Sequence, residues 1–115
     1  MSKAVYLQRG ESLDYLNETA ETIEANTIVP IIGRIGIAGA AIHPNEKGSL
    51  HVAGVFEIGK TCTEEIKQGM PVYFDGTGIT DSAKSGDSEE ENTPAGYAAQ
   101  TAQASDLTVV VKLPG

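Results

Sequence analysis

The chain has no tryptophan and a single cysteine, its aromatic residues make up only 5% of the total, and it carries 8 basic residues against 16 acidic ones. Each shortage excludes a class of protein. A lone Cys62 forms neither an intrachain disulfide nor a multi-cysteine zinc site, which suits a protein made in reducing cytosol. A net charge of −8 and a pI near 4.6 repel phosphate backbones, which nucleic-acid binders neutralise with clustered Lys and Arg. Anionic membranes are disfavoured in the same way, so neither nucleic acid nor membrane is expected as a partner. The opening residues Met1 to Tyr6 lack the long apolar core of a signal peptide, and the apolar run from Ile28 to Ile42 is interrupted by Pro30, Gly33, Arg34, Gly36 and Gly39. At 115 residues and 12.0 kDa, one small domain over 1–115 is expected, and a two-domain enzyme is excluded.

With few aromatics, the core must be built from Val, Ile, Leu and Ala, several of them β-branched. Alternation at period two predicts a strand over 106–113, with Leu107, Val109, Val111 and Leu113 on one face. A second strand is predicted over 49–58, with Leu50, Val52, Phe56 and Ile58 sharing a face and Gly54 marking a bulge or close approach. Further strands are expected over 4–8, 27–32, 35–38, 71–74 and 95–99. Short strands divided by Gly, Pro and Asn turns predict an all-β fold, a small sandwich or barrel of mostly antiparallel strands. At most one or two short helical turns are expected. Leu13, Leu16, Ala20 and Ile23 fit either a helical stripe ending at Asn26 or two strands joined by an acidic turn, and Thr61 to Glu64 resembles a capping box. Residues 81–93 hold five acids, one base and no large apolar anchor, and read as a solvated loop.

The chemistry-bearing motifs are weak. Gly54 to Thr61 satisfies the pattern G-x-x-x-x-G-K-[ST], and Val72-Tyr73-Phe74-Asp75 imitates an apolar strand ending in a magnesium-holding Asp. A phosphate loop must curl its amides round an anion, whereas Val55, Phe56 and Ile58 favour extended backbone, so Lys60 is expected to end a strand. His43, His51, Glu46 and Cys62 lack the spacings that preset metal-ligand geometry. No cofactor, no metal and no enzymatic activity are expected.

The stretch Gly48 to Lys60, reading Gly-Ser-Leu-His-Val-Ala-Gly-Val-Phe-Glu-Ile-Gly-Lys, resembles the central signature of the small bacteriophage capsid cement, or head decoration, proteins. Gly36-Ile37-Ala38, Ile66, Gly69, Val72 to Asp75, Ile79-Thr80, Ala95-Gly96-Tyr97-Ala98 and the closing Val109-x-Val111-x-Leu113-x-Gly115 agree in order and spacing. The resemblance implies a structural virion protein, made in the bacterial host cytoplasm, that binds the outer surface of a tailed-phage head and stabilises the major capsid protein lattice. It also implies self-association as a homo-oligomer, dimer or trimer. The apolar residues of 28–42 are expected to exceed what one small sandwich hides. Within the N-terminal segment 1–10, Ala4, Val5, Tyr6, Leu7 and Gln8 are the expected capsid or subunit contact, able to add as a strand to a neighbouring sheet edge. The alternative is a carbohydrate- or host-binding β module on a virion or cell surface, which usually displays exposed aromatic platforms.

Overall fold

The computed structural model describes residues 2–6, 10–84 and 91–114. Leu7, Gln8, residues 85–90 of the acidic stretch and the closing Gly115 lie outside them. Nine strands form two antiparallel sheets, and no helix occurs among the described residues. The first sheet contains β1 (Ser12–Leu16), β2 (Ile28–Ile31), β3 (Arg34–Ala38) and β4 (Lys47–His51), in the order β1-β4-β3-β2. The second contains β5 (Ala53–Gly59), β6 (Pro71–Phe74), β7 (Ile79–Thr80), β8 (Thr93–Ala98) and β9 (Thr108–Pro114), in the order β5-β9-β8-β6-β7. This is the expected all-β sandwich.

Apart from the inserted β7, the second sheet repeats the first. In each, the first strand pairs with the last, as β1 with β4 and β5 with β9, and the two between them pair antiparallel, as β2 with β3 and β6 with β8. The register coincides as well: Ile28↔Ile37 and Val29↔Gly36 correspond to Pro71↔Tyr97 and Val72↔Gly96, and Ala38↔Leu50 corresponds to Ala98↔Val111. Ahead of each hairpin's outer strands, an isolated bridge closes the chain on itself, Ile23 with Ile42 and Ile66 with Ala102. Both bridges exchange two backbone hydrogen bonds, Ile23 N to Ile42 O at 2.9 Å with its return at 2.8 Å, and Ile66 N to Ala102 O at 2.9 Å with its return at 2.8 Å.

Each bridge residue is followed by a tight turn, closed by Thr27 N to Glu24 O, Glu46 N to His43 O, Met70 N to Lys67 O and Asp106 N to Gln103 O. Asn26, Asn45 and Gly69 take the left-handed third position, at φ 70°, 66° and 92°. Asn and Gly are the residues that tolerate it, which is why these types recur at that place. The repeat diverges between the hairpin strands. The first hairpin turns on Ile32 and Gly33 alone, whereas the second is lengthened by β7 and the acidic stretch.

Ile35 and Ile37 of β3 join Ile58, Val72, Ile79, Val109, Val111 and Leu113 of the second sheet in one buried cluster. Val29, Ala38, Ile42 and Leu50 form another, flanked by Tyr15, Ile23 and Ile31. β3 is thus covered on both faces, and its buried run from Ile35 to Ala38 includes only small or aliphatic residues. Gly96, at φ 119°, lies where a Cβ would overlap the Lys112 carbonyl. Only glycine allows β8 to approach β9 so closely there.

Several expectations are corrected. Residues 49–58 are two strands in different sheets, because the chain crosses between sheets at buried Val52. Leu107 is exposed, since it lies between the turn closed by Asp106 N to Gln103 O and the start of β9 at Thr108. Ala4, Val5 and Tyr6 form no strand. The stretch from Leu13 to Asn26 is neither helix nor hairpin but β1 followed by a loop wrapped round Asn17. The capping-box residues Thr61 to Glu64 open no helical turn but run as irregular chain into a bend. The sandwich also hides most of 28–42: Val29, Ile35, Ile37 and Ile42 are buried, Ile28 and Ile31 half-buried, and only Ile32 stands fully in solvent.

Asn17 is the polar residue on which the first unit's loop depends. It is completely buried, and its Nδ2 donates to the carbonyls of Glu21 and Ile42, both at 2.8 Å. Its Oδ1 accepts from the Thr19 amide at 2.9 Å and hydroxyl at 2.6 Å. Removing the side-chain amide takes away four hydrogen bonds at a fully buried position and leaves the Ile42 carbonyl with the Ile23 amide alone. N17A is expected to lower unfolding free energy by about 2–3 kcal/mol, measured by urea denaturation with an unchanged m-value.

Candidate functional site

The residues that imitate a nucleotide site are occupied in building the fold. Val55 to Ile58 run extended in β5, paired with Lys112 to Val109 of β9, so their amides cannot converge on an anion. Lys60 Nζ donates to the carbonyls of Cys62 at 3.0 Å and Ala104 at 3.1 Å, tying the end of β5 to the turn before β9. Thr61 Oγ1 donates to Asp75 Oδ2 at 2.7 Å, while Asp75 Oδ1 accepts the amides of Thr77 and Gly78, each at 2.9 Å. Asp75 is therefore the cap of the turn between β6 and β7.

The histidines are separate. His43 Nδ1 lies 3.1 Å from the Thr22 hydroxyl, and the His51 ring lies 6.3 Å from that of Phe56. Cys62 is half-buried, its Sγ directed at the Glu64 carbonyl at 3.8 Å. Among the described residues, no group of three His, Cys, Asp or Glu side chains is placed to hold a metal ion.

What the molecule displays is contact surface. Val5 and Tyr6 are 82% and 80% exposed. On the outer face of the second sheet, Val55 and Tyr97 flank Lys112 from the two neighbouring strands, and the Lys112 ammonium lies 5.8 Å from the centre of the Tyr97 ring. At the tip of the β2–β3 hairpin stand Ile32 and Arg34. Where the two sheets meet, Asn26, Ile28, Ile37, Phe56, Glu57, Ile58 and Gly59 line a shallow groove of about 290 Å³. Small-molecule sites usually begin at about 300 Å³ and enclose their ligand, so an open groove of this size suits a protruding side chain.

Of the expected contact residues, Ala4, Val5 and Tyr6 are exposed, while Leu7 and Gln8 lie outside the described residues. The hairpin tip lies within the apolar stretch 28–42 from which self-association was expected, and a further signal in the sequence marks it out. Arg34 is the only charged residue between Glu24 and Glu46, in a chain where acids outnumber bases two to one.

The molecule is thus an antiparallel sandwich that repeats one unit, with its polar motifs engaged in turns and with apolar side chains exposed in the N-terminal segment, at the hairpin tip and on the second sheet. A family model of phage cement proteins matches residues 7–113, and the chain belongs to that family. As a phage cement protein it is a capsid-binding protein of the virion, and the family is a structural one. No curated protein and no solved structure matches it.

The Asp75 cap has a measurable pH signature. Burial pushes its carboxyl up, but the Thr61 hydroxyl and the Gly78 and Thr77 amides outweigh that and hold it below the ordinary 3.8. A folded value below the unfolded one means that the ionised form favours folding at neutral pH, a contribution lost as the pH falls from near 4 through the lowered value. D75N is expected to be about 1 kcal/mol less stable than the parent at pH 7. The gap should close in melts at successively lower pH.

Proposed function

We propose that the protein coats the outer surface of a tailed-phage head, binds the major capsid protein, and braces its lattice as a homo-oligomer. The observation that carries this reading is the match of the cement family to residues 7–113, and the character of the surface supports it. A cement protein needs no deep pocket, because several modest contacts per oligomer act at high effective concentration on a repeating lattice. The N-terminal segment over Lys3 to Arg9 is the principal capsid contact in this reading. The strong exposure of Val5 and Tyr6 supports it, since neither is held by the chain's own sheets.

The acidic stretch 81–93 faces away from the capsid. Its carboxylates would lose hydration if buried without basic partners, and in water they keep decorated particles apart. The carbohydrate-binding alternative draws less support, because the exposed ring of Tyr97 lies beside Lys112 and flat aromatic platforms are otherwise scarce.

The test adds purified variants to undecorated heads and measures occupancy by sedimentation and gel densitometry. Deleting residues 2–8 is expected to weaken binding about tenfold or more, the scale of losing a cluster of contact side chains. Replacing residues 83–91 with a short Gly-Ser linker is expected to leave occupancy unchanged. Equal binding by the N-terminal deletion would reverse the assignment of the two regions. Failure of the parent protein to bind any head would overturn the proposed role.

A further inference from the structure

The β2–β3 hairpin is built against its own local preference. Ile31 and Arg34 pair across a two-residue turn whose central residues, Ile32 and Gly33, both have positive φ, 29° and 35°. Gly33 accepts this freely. Ile32 does not, because a β-branched residue is among the least tolerant of that region, and the usual occupant is Asn or Asp. The side chain gains nothing in return from its own fold, being 100% exposed. A strained, fully exposed isoleucine is a reason to look for a partner that buries it.

The rest of the hairpin indicates how the contact is made. Pro30 sits in the middle of β2, the edge strand of its sheet, and lacks the amide that an added strand would require. Continuation of the sheet is blocked there, so contact falls to the side chains at the tip. Beside Ile32 stands Arg34, exposed, its guanidinium without a hydrogen bond or ion pair to the described residues.

A complementary surface lies on the same molecule. The groove at the base of the hairpin presents Ile28, Ile37, Phe56 and Ile58, and Glu57, between the last two on the edge strand β5, exposes a carboxylate that turns to the other face of the strand and has no side-chain partner among the described residues. Apolar lining beside one free acid matches an apolar tip beside one free base. The tip cannot reach its own groove, since Ile32 lies four strand residues, about 13 Å, beyond Ile28.

We infer that a second copy of this chain fills the groove: Ile32 of one copy enters the groove of the other beside Ile28, Ile37, Phe56 and Ile58, and Arg34 meets Glu57. Two hairpins laid antiparallel, tip to base, make the exchange reciprocal and close it as a twofold dimer. This interface deepens the self-association reading above and rests on it. It also places the acid-free stretch between Glu24 and Glu46 inside the assembly and leaves the acids outside.

The test is sedimentation equilibrium over a concentration series, with melts at high dilution and head occupancy measured on the same proteins. The parent is expected to dimerise. I32N is expected to weaken dimerisation about tenfold or more while raising the melting temperature of the dilute monomer, because Asn suits the turn. R34E and E57R are each expected to weaken self-association about tenfold through like-charge contact. An equimolar mixture of the two is expected to form heterodimers of near-parental affinity, since both exchanged contacts regain opposite charges. A monomeric parent would overturn the interface, and reduced head occupancy by I32N in that case would reassign the tip to the capsid. Unchanged dimerisation in I32N, a lowered I32N melting temperature, or no rescue on mixing would also overturn it. In each of these outcomes, parental head binding reports separately on the cement role.

Discussion

Wherever an antiparallel ribbon folds back on itself, backbone amides and carbonyls leave the ladder and must find partners, and this requirement shapes the whole molecule. It is met twice in the same way, by the reciprocal hydrogen bonds of Ile23 with Ile42 and of Ile66 with Ala102. A buried amide left unpaired costs about 1–3 kcal/mol, so these short closures weigh as heavily as an apolar core residue. Asn26, Asn45 and Gly69 make the turns beside them, and Asn17, Lys60 and Asp75 use their polar atoms to hold the adjoining loops. Side chains whose types suggest catalysis or ligand binding are thereby engaged in closing the backbone.

The duplication gives two units of one design and unequal chemistry. In the first, the hairpin closes in two residues and its surroundings from 25 to 45 carry one charge, the base Arg34. In the second, the corresponding connection is extended by β7 and the stretch that holds five acids between 81 and 93. Such asymmetry suits a protein that must recognise one surface and remain soluble on another, because charged groups are depleted from the centres of protein interfaces and favoured at solvent.

Much of the fold was legible in the sequence. β6 coincides with its expected residues Pro71 to Phe74, and Val109, Val111 and Leu113 are buried together as their alternation requires. β1 was ambiguous because Leu13, Leu16 and Ile23 satisfy helical spacing, and the choice rests on Asn17, which bonds to the nearby Thr19 and Glu21 and, across 25 residues, to the carbonyl of Ile42. The break at Val52 left no periodic trace, since a chain that changes sheets can keep its apolar parity. The repeat was written more plainly, in Ile23-x-x-Asn26-x-x-Val29 against Ile66-x-x-Gly69-x-x-Val72 and in Gly36-Ile37-Ala38 against Gly96-Tyr97-Ala98. The inserted β7 and acidic stretch lie between these paired motifs and disguise them. The exposed tip at Ile32 was hidden by its apolar neighbours, which composition alone could not divide into buried and exposed.

A cement protein is defined mechanically, by what it does to the particle that carries it. In the proposed role, many weak contacts on a repeating lattice would add resistance to outward pressure without any one contact being strong. The most direct test heats DNA-filled heads, bare or saturated with the purified protein, and follows DNA release by dye fluorescence. Decorated heads should release their DNA at a higher temperature, with the rise growing as occupancy grows. Release at the same temperature from fully decorated and bare heads would contradict the account.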